Sequence, residues 1–291
     1  MMRLETYDKI IATIGAHGLR RPCIKVLSEE HPNIPRETLL SIYSQHYQMH
    51  TKRIHGQHRQ SEVMEEYFRQ YEDSMRQGQS DPKLLLNMAQ QVQFSPVLFA
   101  RIILEKFSLS RGCVTPESNL STLVSQWIKK PTSIPDNALC EQVKACILND
   151  PNYGPMAENI KHSVGHEYEF LLKEKLQALS IPFLDEHDLR SRGYDKTPDF
   201  KLEIPIASSP IPTAVDKHII HWIESKASFG DEHSHSRYLE DQFWSYQNRF
   251  GAGLVIYWFG YVTELDVNRD QGILLSDSFP NKESIFLLHT S

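Results

Sequence analysis

The segment Asp150-Pro151-Asn152-Tyr153-Gly154-Pro155 constrains the fold more than any other stretch of the chain. Two prolines and a glycine this close together cannot continue a helix or lie within a central strand. They also separate two hydrophobic periods. Ahead of them apolar residues recur at spacings of three and four, and beyond them helical and strand-like runs alternate. The segment therefore predicts two domains, 1–154 and 155–291, which a chain of 291 residues accommodates.

The first half reads as all-helical. Ile24-Val26-Leu27 and Leu39-Leu40-Ile42-Tyr43-Tyr47 flank a break at Pro32 and Pro35. Leu84 to Val92 and Val97 to Phe107 flank a second, where Ser95 suits an N-cap and Pro96 the first helical position. Two helix pairs with such short turns are helix-turn-helix-like. The segment Lys52 to Arg59 is a modest basic signal for DNA, since Glu62, Glu65 and Glu66 follow it at once. Beyond residue 155 the expected order is α-β-β-β-α-β. It comprises a helix over about 160–179, strands near 181–184, 199–204 and 218–224, a helix over about 238–250, and a buried strand at 253–259. That order implies a mixed sheet flanked by helices, an α/β fold.

Composition bounds the class. Four scattered cysteines (Cys23, Cys113, Cys140 and Cys146) form neither a CxxC pair nor a disulfide framework and read as free thiols. No apolar run reaches the roughly 20 residues that span a bilayer, and the acidic start does not fit a secretory leader, so no membrane role is expected. The net charge is −6 and is unevenly placed. Residues 1–150 carry 18 basic and 16 acidic side chains, whereas residues 151–291 carry 13 and 21. An acidic half either avoids polyanions or gathers its acids round a cation.

The residues that carry chemistry favour the cation. Asp199 opens one strand, and Glu224-Ser225-Lys226 closes the next. Side chains two apart on a strand share a face, so Glu224 and Lys226 project together, and adjacent pairing would bring Asp199 beside them. Two carboxylates suit a hard divalent ion such as Mg²⁺ or Mn²⁺, with coordination positions left for water and phosphate. An ammonium beside them can stabilise an attacking hydroxide or developing phosphoryl charge. Other histidines (His46, His50, His55, His58, His233 and His235) lack supporting ligands at useful spacings, and the stretch around His233 reads as a loop over the cleft.

Pro198-Asp199 followed by Glu224-Ser225-Lys226 resembles the PD-(D/E)xK nuclease superfamily, whose fold is restriction-endonuclease-like. Two more elements strengthen the resemblance. Gly165-His166-Glu167-Tyr168-Glu169 is similar to the G-x-x-aromatic-E helix that carries a further metal-site acid in such nucleases. Helical geometry leaves Glu167 and Glu169 equivalent, and the family spacing favours Glu169. Gln242-Phe243-Trp244-Ser245-Tyr246 is similar to the Q-x-x-x-Y motif of the RecB-like subset. The resemblance implies metal ligation by Asp199, Glu224, the main-chain carbonyl of Ser225 and Glu169. It implies catalysis assisted by Lys226, and orientation by Gln242 and Tyr246.

The whole chain resembles the codanin-interacting nucleases of animals, notably at Leu40 to Gln45, Gly193 to Phe200, Trp222 to Asp231 and Asp241 to Tyr246. That resemblance implies a metal-dependent nuclease acting on nucleic acid, DNA foremost, in complex with codanin. A helix-turn-helix-like N-terminal half, residence in nucleus and cytoplasm, and a link to red-cell maturation are implied with it. A homodimer is a further expectation. The alternative is a weakly catalytic or non-catalytic subunit whose task is to bind codanin.

Overall fold

The computed structural model describes residues 1–17, 22–78, 81–113, 119–208 and 218–287. Eight helices precede the Pro151–Pro155 segment: α1 Leu4–His17, α2 Pro22–Glu30, α3 Arg36–His58, α4 Ser61–Arg76, α5 Leu84–Gln91, α6 Pro96–Ser110, α7 Leu120–Lys129 and α8 Asn137–Asn149. After it come α9 Pro155–Ala178, β1 Phe183–Asp185, α10 Glu186–Ser191, β2 Phe200–Ser208 and β3 His218–Lys226. Helices α11 Glu232–Tyr238 and α12 Trp244–Phe250 follow, joined by a π-helical turn over Leu239–Phe243. Strands β4 Gly253–Tyr257, β5 Ile273–Ser276 and β6 Ile285–Leu287 complete the fold.

The six strands form one mixed sheet in the order β1-β2-β3-β4-β5, with β6 on β2. Strands β1, β3 and β6 pair with β2 antiparallel, and β1 and β6 use different stretches of it. Strands β3, β4 and β5 run parallel. A parallel neighbour needs a crossover, which α11 and α12 supply between β3 and β4. The sheet buries apolar residues on both faces. Leu172 and Leu176 of α9 pack with Phe200, Leu202, Ile223 and Ile256. Trp222, Val255 and Tyr257 pack with Phe243 and Tyr246. Gly253 is required there, because a β-carbon on it would overlap the indole of Trp222.

Two compact units emerge, Met1–Tyr43 with Ser163–Ser291, and Ser44–His162. This division differs from the cut at 154/155 because the first helices pack with the sheet-bearing part. Met2 bridges to Val262, Tyr7 stacks on Phe229, and Ile10, Ile14, Leu39 and Ile42 bury with Phe229 and Val262. Thr38 Oγ1 donates to the Phe259 carbonyl at 2.9 Å, and Ser41 Oγ accepts from the Phe229 amide at 2.8 Å.

The second unit is helical, with Phe99, Ile102, Ile103, Leu104, Val124 and Val143 at its centre. Ser95 caps α6 by accepting from the Leu98 amide, with Pro96 in the first turn. Helix α6 buries nine of its fifteen residues in the core of this unit. No helix among the described residues is long and apolar enough to cross a membrane.

Candidate active site

Backbone pairing assembles the site. Antiparallel register sets Phe200 opposite Ile223, so Asp199, one residue before β2, falls beside Glu224. The two acids clasp each other's strands. The Asp199 amide donates to Glu224 Oε2 at 3.1 Å, and the Ser225 amide donates to Asp199 Oδ2 at 2.7 Å. Alternation along β3 turns Trp222, Glu224 and Lys226 to one face. Lys226 Nζ donates to Glu224 Oε1 at 2.6 Å and to Gln242 Oε1 at 2.9 Å. Its ammonium also lies 4.5 Å from the ring centre of Tyr238, a cation–π contact.

Burial makes these charges interdependent. The Glu224 side chain is 4% exposed and that of Lys226 14%. Desolvation holds the Asp199 carboxyl well above its ordinary range, and repulsion from Glu224 pushes it the same way. Burial works to lower Lys226, but Glu224 and Asp199 outweigh it, so the ammonium is held more firmly than usual. Two crowded carboxylates form a donor set that suits a hard divalent cation, which would remove the repulsion between them. Among the described residues no three His, Cys, Asp or Glu side chains stand close enough together to hold a metal ion. The carboxylate pair would therefore need main-chain carbonyl or water oxygens to complete a shell.

The other sequence candidates fall at graded distances from this centre. Glu169 is half-buried on α9, accepts from His166 Nδ1 at 3.3 Å, and its charge acts on Asp199. Glu167 is exposed, and its charge acts on Tyr168. Gln242 reaches Lys226 from the π-helical turn, an irregularity often found at functional sites. Tyr246 is 4% exposed and packs edge-on against Trp222, so it props the strand beneath Glu224 and is closed to substrate. Trp222 is fully buried, donates to the Gly251 carbonyl at 2.7 Å, and does not line a cleft. His233 and His235 lie in α11, which starts with an Asp231/Ser234 capping box, so the loop expected there is a helix. His235 is buried against Tyr257, its Nδ1 3.0 Å from the phenol oxygen, and burial lowers its pKa to about 4.

Two residues in contact with the site, Trp258 and Tyr238, were missed in the sequence. Trp258 donates from its indole to Ser225 Oγ at 2.8 Å and from its amide to the Lys226 carbonyl at 3.1 Å. Tyr238, four residues before Gln242, faces the ammonium. The helical spacing of Tyr238 and Gln242 was the available signal, and Trp258 gave none beyond ending an apolar strand.

A helix-flanked mixed sheet with a carboxylate pair and a lysine at two strand ends defines an α/β protein with an acid–lysine site. The family described as "Protein of unknown function TPD sequence-motif" matches residues 135–279, which include Thr197-Pro198-Asp199. The chain is 48% identical over 284 residues to "CDAN1-interacting nuclease 1" of Bos taurus, covering 98% of this chain and 97% of that protein. The protein of that name from Homo sapiens is 48% identical, covering 94% of each chain. That from Xenopus laevis is 49% identical, covering 96% of this chain and 89% of the relative. The chain belongs to this family, the codanin-interacting nucleases. No solved structure matches it.

Proposed function

We propose that the chain is a nuclease of the PD-(D/E)xK type, hydrolysing phosphodiester bonds of nucleic acid, DNA foremost, with Mg²⁺ or Mn²⁺. The observation that carries this reading is the clasp of Asp199 and Glu224 with Lys226 bound between Glu224 and Gln242. The relatives' name, which contains "nuclease", supports it. Asp199, Glu224 and the Ser225 carbonyl would hold the cation, with Glu169 nearby. When bound, the cation supplies a Lewis acid that makes water nucleophilic at neutral pH and offsets phosphate charge. Lys226 places a fixed positive charge where negative charge develops on the reacting oxygens. Gln242 and Tyr238 fix the direction of the ammonium, and Trp222 with Tyr246 stiffens the strand that carries Glu224. We infer residence in nucleus and cytoplasm, and association with codanin, from the family.

A cleavage panel of single-stranded, duplex and flapped nucleic acids, with and without Mg²⁺, tests the reading. Asp199→Asn and Glu224→Gln should each abolish metal-dependent cutting while the circular dichroism stays native. Wild-type cutting by both variants would overturn it.

A second reading has its own observation. In the helical unit several cations are already spent on acids: Arg59 on Glu105, Lys106 on Glu65, Arg69 on Glu66, and Arg76 on Glu72 and Asp73. Such paired charge suits a protein partner, in keeping with the "CDAN1-interacting" part of the relatives' name. On this account codanin binding is the main task. Full rescue of deficient cells by Lys226→Ala would favour it, and no rescue would favour catalysis.

A further inference from the structure

Beside the acid–lysine centre lies a cavity of about 370 Å³, within the ~300–1,000 Å³ range of small-ligand sites. Its walls include Trp258, Phe259 and Phe229, and its rim Arg3 and Asn33. Trp258 links the cavity to the centre through strand β3, not through the side chains of Glu224 or Lys226. Its indole bonds Ser225, whose amide holds Asp199, and its amide bonds the carbonyl of Lys226. The aromatic wall is held in place. Tyr168 packs on Trp258 with ring centres 5.2 Å apart and meets Phe259 edge-on at 5.4 Å, while Thr38 anchors the Phe259 carbonyl. Trp258 and Phe259 nonetheless remain half-buried, not sealed into the core. Arg3 and Asn33 are exposed; the Arg3 charge acts on Glu5 and Glu264, and Asp277 on the same rim is paired with the N-terminal ammonium.

We infer that this cavity is a subsite for one unpaired nucleobase of the substrate strand, stacked against Trp258 and Phe259, with Arg3 on the adjoining phosphate. Aromatic faces accept any base, and an exposed guanidinium at the rim supplies the backbone contact. A base paired inside a duplex must leave its stack to enter the cavity. The substrate strand is therefore single-stranded, frayed, or opened at the base next to the scissile phosphate. The inference deepens the nuclease reading and rests on it for the position of that phosphate.

The test is binding of a labelled short single-stranded DNA to the full chain in EDTA, where no metal-dependent cutting occurs. A set of oligonucleotides carries one abasic position moved along the strand. Removing the base should weaken binding by about tenfold at one position and little elsewhere, the scale of base–aromatic stacking. Phe259→Leu, which keeps apolar bulk, should shrink that penalty to less than about twofold, while Trp258→Phe should retain part of it. Arg3→Ala should weaken every oligonucleotide alike and flatten the salt dependence. Thermal melts of each variant establish that it is folded. A position-independent abasic effect, or an undiminished penalty in folded Phe259→Leu, would overturn the subsite. If the subsite fails while Asp199→Asn still abolishes cutting, only the subsite is lost. If the abasic pattern holds while Asp199→Asn still cuts, the subsite survives as a strand-binding site and the nuclease reading is lost.

Discussion

The two compact units differ in one group of charges. The sheet-bearing unit carries exposed pairs such as Lys9 with Glu5 and Arg190 with Glu186, but also a buried set at strand ends, Asp199, Glu224 and Lys226 with Gln242, joined across elements distant in sequence. In the helical unit, many charges are surface pairs three or four residues apart, such as Arg76 with Glu72 and Asp73. Buried charge stands at a desolvation cost that a stable fold rarely tolerates without a task. Surface pairs at helical spacing cost little and contribute little. The buried set is what the sheet-bearing unit has and the surface pairs of the helical unit lack.

The largest effect should come from breaking the buried pair on one side. Glu224→Ala leaves the Lys226 ammonium in a largely desolvated position with Gln242, aromatic rings and the charge of Asp199 but no direct carboxylate partner. Removing one partner of a buried pair typically costs 3–5 kcal/mol, so about 4 kcal/mol should be lost in urea unfolding. Glu224→Ala combined with Lys226→Met should recover much of that loss without restoring cutting. If the single variant is as stable as wild type, the burial argument for this centre fails.

A second probe is pH. His235 is buried with its pKa lowered to about 4, below an unfolded value of about 6.5. A group depressed in the fold contributes its stability above the unfolded pKa and loses it as pH falls toward the folded one. Stability should therefore drop between about pH 6.5 and 4, by up to roughly 3 kcal/mol from this residue alone. His235→Gln should flatten that limb. Asp199 works in the opposite sense, because its raised pKa makes the fold lose stability as pH rises through it. An acid limb identical in wild type and His235→Gln would remove His235 from the account.

The contrast between the units also explains what could be read in advance. Local rules gave the α5–α6 turn, the Ser95 cap and the adjacency of Asp199 to Glu224, because caps, prolines and strand alternation act over a few residues. Packing of residues 1–43 with the sheet was hidden, since the Met2–Val262 bridge and the Tyr7–Phe229 stack join segments more than 200 residues apart with no periodic signal. Strands β5 and β6 are four and three residues long, too short to show alternation. The π-helical turn keeps Gln242 on Lys226 and lets Tyr246 prop Trp222, so the side chains of one Q-x-x-x-Y motif have different partners. The capping pair Asp231 and Ser234 was legible and was read as part of a loop.

Asp150 is the exception that sharpens the comparison, because it is a buried carboxylate in the helical unit, 4% exposed. It accepts from Ser95 Oγ, from the Val97 amide at 3.1 Å, and from the Asn152 and Tyr153 amides at 3.0 and 2.9 Å. Neutral donors bond it directly, with the Lys161 ammonium acting on it through space, which marks a structural clamp at the start of α6. Asp150→Ala should cost about 2 kcal/mol by leaving buried amides unpaired, with no change in any activity per folded molecule. A loss of turnover without a loss of stability would instead move this residue into the functional machinery.

The smallest effect should come from the surface pairs. Arg76 is 72% exposed and meets Glu72 and Asp73 at 3.4 Å. Arg76→Ala should shift unfolding by less than about 0.5 kcal/mol, and the shift should vanish in high salt, since water and ions already screen the pair. If this surface instead docks an acidic partner, the same substitution would weaken complex formation while leaving the isolated chain unaltered. The stability measurement and the binding measurement then separate two meanings of one exposed arginine. A stability loss of several kcal/mol would show that charge in the helical unit is not the passive solvent-facing layer its spacing implies.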